Sequence, residues 1–96
     1  MTQVGFSARA LADLDRLFDF LAEHDPGAAG RAGSDIIEAT GVLARHPLIG
    51  RPVEAGLREL VISRGSTGYV ALYRYLPKED RVDVLAIRHH REAGFG

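Results

Sequence analysis

The last third of the chain contains two strand-like runs on either side of a short polar segment. From Gly68 to Leu76, aromatic and aliphatic side chains occupy both alternating faces, as expected of a strand inside a sheet. Residues 77–81, with the sequence PKEDR, are too polar to be buried and are expected to turn the chain back. The run from Val82 to Ile87 then predicts a second strand, antiparallel to the first. A chain with this pattern must build a sheet and cover at least one of its faces.

The preceding elements predict what covers the sheet. Residues 4–6 form a short strand, and Ser7 is suited to cap the helix that follows. Asp25, which is followed by proline, predicts the start of a second helix that runs to about His46. Residues 57–63 predict a further strand. The order is β-α-α-β-β-β, an α+β fold in which an antiparallel sheet packs on an antiparallel helix hairpin.

Each predicted helix has an apolar face. On the first helix this face is predicted to contain Leu11, Leu14, Leu17, Phe18 and Leu21. The opposite face of the same helix carries the charged residues Asp13, Arg16, Asp19 and Glu23. On the second helix the inner face is predicted to contain Ala29, Ala32, Gly33, Ile36, Ala39, Thr40 and Leu43. The small residues at its start are expected to let the two helices approach closely.

The composition is that of a small domain without cofactor chemistry. At 96 residues the chain is expected to form one domain over residues 1–96. It contains no cysteine, and no apolar run approaches the roughly 20 residues that cross a bilayer. No glycine-rich phosphate loop or nucleotide fingerprint is present, so no cofactor is expected. The N-terminus lacks a signal-peptide pattern, which predicts a cytoplasmic protein without membrane contact.

Charge is distributed unevenly along the chain. The formal net charge is −1, so direct binding of nucleic acid by the chain alone is not expected. Residues 1–44 carry three arginines and seven acidic residues, whereas residues 45–96 carry nine basic and six acidic residues. The basic half contains, near its end, the group here called the terminal cluster: Arg88, His89, His90 and Arg91. Because these residues follow the last predicted core residue, they are expected to be accessible and to contact a target.

The motifs of the chain follow one another in a characteristic order. An opening FS-x-x-A-x-x-D precedes a helix hairpin ending in HPLIGRPV, and then come RELVI, GYVALYRY and VDVLAIRHHREAG. Over about residues 4–95 this series resembles the RelE/ParE superfamily of toxins from bacterial type II toxin–antitoxin systems. The resemblance implies a toxin that is neutralised by a cognate antitoxin protein. Two actions stay open, because RelE-like members cut messenger RNA on the ribosome and ParE-like members poison DNA gyrase.

The RelE-like action depends on cations that this chain lacks. In RelE, lysines on the strand equivalent to RELVI and an arginine after a Gly-Tyr pair line the face toward the ribosome. Here Glu59 and Val61 fall near the lysine positions, and Val70 takes the arginine position. The terminal tyrosine of that family has only Phe95 as its counterpart, which has no hydroxyl. The ParE-like action needs a protein surface rather than catalytic groups, so gyrase is the predicted target and the ribosome with its message the alternative.

A second cleavage scheme in the superfamily stays open as that alternative. It resembles a general acid–base pair, with Glu54 as one member and His89 or His90 as the other. Arg64 or Arg74 would then stabilise the phosphate. Adjacent histidines in a strand are predicted to point to opposite faces, so at most one could act with Glu54. For the same reason no metal site is expected.

The antitoxin is expected to bind apolar groups that the core leaves uncovered. The predicted contacts are Phe20, Val70, Leu72 and Arg74. Phe20 lies off the main apolar arc of the first helix and could instead cover the edge of the helix hairpin. The one-face stripe of Tyr69, Tyr73 and Tyr75 could stack on bases, but the stronger prediction places it in the core under the helices.

Overall fold

A helix hairpin covers one face of a five-stranded sheet in the computed structural model, which describes residues 1–64 and 67–92, with the backbone alone at 63, 64 and 67. The strands are β1 Gln3–Phe6, β2 Arg51–Pro52, β3 Arg58–Arg64, β4 Thr67–Leu76 and β5 Arg81–His89. The helices are α1 Ala8–His24 and α2 Pro26–Thr40, and short 3-10 helices span Gly41–Ala44, Glu54–Gly56 and Pro77–Glu79. The predicted α+β class and order of elements are confirmed.

The strand order is β1-β5-β4-β3-β2, and β3, β4 and β5 form the predicted antiparallel meander. The sheet is mixed rather than wholly antiparallel, because β1 runs parallel to β5 with Val4 opposite Val82. The helix hairpin lies between β1 and the meander in the chain, and a connection of this length allows parallel pairing. β2 was not expected, since two residues are too few to show a period.

Polar side chains cap both helices as predicted. Ser7 Oγ accepts a hydrogen bond from Ala10 N–H at 3.0 Å at the start of α1. Asp25 ends α1 and begins α2, where its Oδ1 accepts from Ala28 N–H at 3.2 Å. The α-helical part of α2 ends at Thr40, earlier than predicted. The hydroxyl of Thr40 bonds back to the preceding helical turn and a glycine follows, two features that weaken helix continuation.

The core lies between the helix hairpin and the sheet. Leu17 of α1 and Ile36 of α2 pack in one buried cluster with Tyr69 and Tyr73 of β4. These four side chains are at most 1% exposed, and burial of apolar surface of this size is the main source of stability in a small domain. Tyr75 is half-buried at the margin of the cluster. The prediction that the tyrosine stripe belongs to the core is therefore confirmed.

A β-bulge keeps the apolar residues of β5 on the helix side. The pairing of β5 with β4 shifts after Val84, and Leu85 becomes an extra residue in the strand. Val84 and Ile87 are three positions apart, a spacing that places residues on opposite faces of a regular strand. With the bulge between them, both lie in the core and are fully buried.

The buried face of α1 differs from the predicted one. Leu11 and Phe18 are 53% and 54% exposed, whereas Asp13, predicted on the charged face, is only 7% exposed. Asp13 is buried because its Oδ2 accepts a hydrogen bond from Ile87 N–H at 2.8 Å, which compensates the loss of hydration. The helix is thus turned toward β5. Gly33, predicted on the inner face of α2, is exposed as well.

Tyr73 fixes the loop that precedes β2. Its hydroxyl donates to Pro47 O at 2.8 Å and accepts from Gly50 N–H at 2.9 Å. Arg58 Nη1 donates to Gly50 O at 2.9 Å and holds the same loop from the sheet. A Cβ added to Gly50 would lie 2.6 Å from the Tyr73 ring and hydroxyl and 2.8 Å from Glu59 O. The loop therefore leaves no space for a side chain at Gly50.

Replacing Gly50 with alanine should lower the free energy of unfolding by about 2 kcal/mol, since the Tyr73 ring must move and its two hydrogen bonds weaken. Gly33→Ala is the matched control, because nothing lies within 4 Å of its added Cβ and it stands inside α2. That change should raise the free energy of unfolding by roughly 0.5 kcal/mol. Urea denaturation of both variants measures the difference, and equal effects would contradict the prediction.

Candidate functional site

The terminal cluster lies where β5 leaves the sheet. β5 continues to His89, beyond the predicted strand end at Ile87. His89 is 1% exposed, whereas His90 and Arg91 are exposed in the turn that follows. The prediction that the whole cluster is accessible is wrong for His89, because the longer strand carries this residue into the core side of the sheet.

His89 is a buried residue that packs between two aromatic rings. The ring centroids of Phe20 and Tyr69 each lie 5.5 Å from that of His89, with Tyr69 edge-on. Nδ1 of His89 accepts a hydrogen bond from Arg91 N–H at 3.1 Å, which requires the neutral ring with its proton on Nε2. Burial, and then the positive charges of His90 and Arg91, lower the pKa of His89 below its ordinary value of 6.5. His89 thus supports the fold in its neutral form.

His90 stacks on His89 instead of pointing to the opposite face. The two ring centroids are 4.4 Å apart. The prediction of opposite faces is wrong because β5 ends at His89, and strand alternation does not extend into a turn. His90 is anchored by its N–H and Nδ1, which both donate to Gly68 O, at 2.9 and 3.0 Å. A Cβ on Gly68 would lie 2.8 Å from His90 Nδ1, so glycine is required for this position of the ring.

The two arginines of the terminal cluster differ in accessibility. Arg88 is half-buried, and its Nη1 lies 3.5 Å from the carbonyl oxygens of His89 and Glu92. Arg91 is exposed in the turn. The accessible part of the cluster therefore consists of His90, Arg91 and part of Arg88.

Glu54 does not meet the terminal histidines. It is exposed in the 3-10 turn between β2 and β3. This turn comes before Arg58, the β3 residue that is opposite Tyr73. His89 is opposite Tyr69, which is four residues away along β4. At about 3.3 Å per residue, the strands alone separate Glu54 from His89 by at least about 13 Å. The acid–base pair of the alternative scheme is not assembled.

Arg74, one of the two cations of that scheme, does not complete it either. Arg74 is opposite Asp83, at the end of the sheet far from His90. The side chain of Arg64 and the whole of Phe95 lie outside the residues that the structure describes.

The face of the sheet turned away from the helices, here called the open face, carries three of the predicted antitoxin contacts. Val70, Leu72 and Arg74 alternate with the core residues of β4 and so lie on this face. Val61 and Glu59 of β3 are opposite Val70 and Leu72 and share the face. Val61 is 68% exposed and Leu72 is half-buried, but Val70 is only 8% exposed, so the prediction that the core leaves it uncovered is wrong. The open face thus has an apolar strip beside charged residues.

Two arginines of the open face form ion pairs with carboxylates, whereas Arg88, opposite Val70 on the same face, lies near backbone carbonyl oxygens. Arg51 Nη2 is 2.5 Å from Glu59 Oε1, and Arg81 Nε is 2.9 Å from Asp83 Oδ1. Arg74 faces Asp83 across the two strands. These pairs reduce the positive potential that a phosphate backbone would require.

Phe20 lies on the other side of the protein. Its ring is 4.3 Å from that of His24 and packs on the core beside His89. This position is the one expected of a residue that covers the edge of the helix hairpin. The four predicted antitoxin contacts therefore do not form one continuous surface.

A second exposed apolar surface lies on the helix hairpin and was not predicted. Leu11, Phe18 and Ile37 are 53%, 54% and 58% exposed. Leu11 and Phe18 are seven positions apart and therefore share one side of α1. Helical periodicity predicted both residues in the core. The periodicity identifies the apolar arc of a helix but not which part of that arc the sheet or the other helix covers.

An open cleft of 440 Å³ lies beside the loop that Tyr73 holds. Its lining is His46, Pro47, Leu48, Ile49 and Tyr75. Leu48 and Ile49 are 56% and 55% exposed. The lining offers apolar contact rather than a set of converging catalytic groups.

Residues 1–64 and 67–92 meet the requirements of neither a metal site nor a membrane-spanning helix. No group of three or more histidine, aspartate or glutamate side chains in these ranges is placed to hold a metal ion. No helix there is long and apolar enough to span a membrane.

The free energy of unfolding should decrease as the pH falls below about 6.5. The unfolded chain then takes up a proton at residue 89 before the folded protein does, since the pKa of buried His89 is lowered. The decrease continues until the pH reaches the pKa of the folded state. Urea denaturation between about pH 7.5 and pH 5 measures this slope, which should be smaller in His89→Gln. His46→Gln, a change at an exposed histidine, is the control; an unchanged slope in His89→Gln would contradict the assignment.

Sequence relatives and solved structures match this chain over nearly its whole length. The chain is 39% identical over 92 residues to "Toxin RelE3" of Caulobacter vibrioides (strain ATCC 19089 / CIP 103742 / CB 15), covering 96% of this chain and 98% of that protein. A structure titled "Chromosomal ParDE TA system from P. aeruginosa" has a TM-score of 0.74 and 28% identity, covering 93% of this chain and 96% of the other. The toxin–antitoxin complex RelBE2 from Mycobacterium tuberculosis has a TM-score of 0.64 and 27% identity, covering 95% and 93% of the two chains.

A family model covers the same extent of the sequence. The model described as "ParE toxin of type II toxin-antitoxin system, parDE" matches residues 4–94. This range runs from β1 through the terminal cluster. The chain therefore belongs to the ParE toxin family of type II toxin–antitoxin systems.

Proposed function

We propose that this toxin inhibits growth by poisoning DNA gyrase and is neutralised by a cognate antitoxin. The observation that carries the proposal is the chemistry of the open face. Where the resemblance to RelE expects cations, this face has Glu59, Val61 and Val70. Val61 is 68% exposed and lies opposite Val70. An aliphatic strip suits protein recognition, whereas RNA cleavage requires cations near the phosphate.

Buried His89 gives further support to an action without catalysis. A general base needs an accessible lone pair within reach of the reacting hydroxyl. Nδ1 of His89 already accepts from Arg91 N–H, and His89 is only 1% exposed. Glu54 lies at the other end of the sheet.

The family match supports gyrase as the target. The matching model is that of ParE toxins, and ParE-like members of the superfamily are the gyrase poisons. The accessible part of the terminal cluster, with His90, Arg91 and part of Arg88, is the proposed target contact. Arginine is enriched among the residues that contribute most to binding once an interface has desolvated them.

Ribosome-dependent cleavage of messenger RNA is the second candidate function. It is favoured by the names of two relatives, "Toxin RelE3" and "Toxin RelE2", which are 39% and 38% identical to this chain. In this candidate Glu54 and one terminal histidine would have to approach each other in the complex with the ribosome.

Glu54→Gln separates the two candidates. A gyrase poison should keep nearly full growth inhibition, because Glu54 is an exposed turn residue. A ribonuclease that uses Glu54 as its base should lose about 100-fold in cleavage rate. The measurements are growth on induction, gyrase supercoiling and cleavage, and cleavage of ribosome-bound message, with Glu79→Gln as the control at another exposed turn. Loss of toxicity and RNA cleavage together, with antitoxin binding intact, would overturn the proposal.

The proposed antitoxin site is the open face around Val70, Leu72 and Arg74. The register of β2 covers only Arg51 and Pro52, so in the described part of the chain the outer edge of β3 has no strand partner after Glu59. An extended peptide segment can add to such an edge through backbone hydrogen bonds. Its side chains would then contact the apolar strip of the open face.

Val61→Asp should weaken the complex with the product of the adjacent antitoxin gene. A buried carboxylate in the strip leaves an unpaired charge, and a central interface residue contributes about 2 kcal/mol, or roughly 30-fold in Kd. Phe18→Asp is the matched comparison, since Phe18 is similarly exposed but lies on α1. Copurification and calorimetry after coexpression measure both. Loss of binding in Phe18→Asp alone would move the antitoxin site to the helix hairpin.

A further inference from the structure

The outer edge of β5 is closed by side chains instead of a strand. β1 pairs with β5 only as far as Phe6 opposite Val84. Beyond that point, Ser7 Oγ donates to Leu85 O at 3.0 Å, and Asp13 Oδ2 accepts from Ile87 N–H at 2.8 Å. The backbone groups that a neighbouring strand would bind are thus satisfied by residues at the start of α1 and within it.

Arg16 extends this closure to the terminal turn. Its Nη2 donates to Ile87 O at 2.9 Å, and its Nη1 forms an ion pair with Glu92 Oε2. The other carboxylate oxygen, Glu92 Oε1, accepts from His89 N–H at 2.8 Å. One guanidinium and one carboxylate therefore join α1, the end of β5 and the turn into a single clamp, here called the Arg16–Glu92 clamp.

The clamp encloses the accessible part of the terminal cluster. His90 and Arg91 lie between its two attachment points on the turn, His89 and Glu92. Arg91 N–H is also fixed, because it donates to His89 Nδ1. An arginine on a turn with this many fixed backbone groups loses less conformational freedom when it binds a partner.

The clamp contributes little to the stability of the core. The Arg16 side chain is 44% exposed, and partly exposed ion pairs add only marginally to folding. The apolar core residues of β5 end at Ile87, and His89 is the last buried residue before the turn. An orienting role toward His90 and Arg91 explains the geometry of the Arg16–Glu92 clamp better than a stabilising role does.

We propose that Arg16 and Glu92 are positioning residues for target engagement. They hold the turn in the orientation in which His90 and Arg91 contact the target. This inference rests on the proposed function, since it requires the terminal cluster to be the contact surface. Neither residue needs to touch the target.

The test is Glu92→Gln, which removes the ion pair with Arg16 but keeps an oxygen that can accept from His89 N–H. We expect about a tenfold higher concentration of toxin for half-maximal inhibition of gyrase, together with weaker growth inhibition. Exchange of the His89 amide should become faster, while the melting temperature and copurification with antitoxin stay near wild type. Glu23→Gln, at an exposed position of α1, is the control and should match wild type.

Arg16→Lys is the second variant, because lysine keeps the charge but cannot span Ile87 O and Glu92 at once. It should show the same loss of potency. Full potency of either variant despite faster exchange of the His89 amide would overturn the positioning role. A fall in potency that follows only a fall in melting temperature would also overturn it.

The double variant Arg88→Ala with Arg91→Ala distinguishes failure of this inference from failure of the proposed function. It should lose growth inhibition while its folding and antitoxin binding persist. If it stays fully toxic, the terminal cluster is not the contact surface, and the proposed target contact and the inference fail together. If it is inactive and Glu92→Gln is fully active, only the clamp fails.

Discussion

The hydrogen bond from Ile87 N–H to the carboxylate of Asp13 joins the helix layer to the strand that ends in the terminal cluster. β5 lies inside the sheet near its start but at an edge near its end, because β1 stops at Phe6. A buried amide without an acceptor costs about 1–3 kcal/mol, so an edge that is covered by a helix needs a polar group from that helix. Asp13 supplies it. The burial of an acid and the outward turn of Leu11 and Phe18 both follow from this requirement.

The backbone groups at the two edges of the sheet are therefore paired differently. On the β5 side, α1 closes the edge with side chains and Arg16 extends the closure to Glu92. On the β3 side, the pairing with β2 ends at Glu59, and Val61 stands exposed beside the open edge. A closed edge fixes the position of the residues that follow it, whereas an open edge can accept a further strand. This asymmetry supports the proposal that an antitoxin segment adds at the β3 edge and that the target contacts the turn after β5.

The same fold serves different actions in this superfamily, so a few side chains decide the chemistry. On the open face, Glu59, Val61 and Val70 carry no positive charge, which supports the proposed function. His89 shows that residue type alone can suggest the wrong role. A histidine near a basic C-terminus suggests catalysis. Its neutral ring instead packs against Phe20 and accepts a backbone hydrogen bond. A titratable side chain that is buried and partnered in this way supports structure before it supports reaction.

The sequence by itself determined the class and order of the elements, because strand alternation, helix caps such as Ser7 and turn residues are local signals. It also placed Tyr69 and Tyr73 in the core and identified the family through the order of its motifs. Only the tertiary structure decided which way α1 faces, how far β5 extends and where His89 points. Those features depend on unpaired backbone groups at a strand edge, which arise from the meeting of distant segments. No local period in the sequence carries that information.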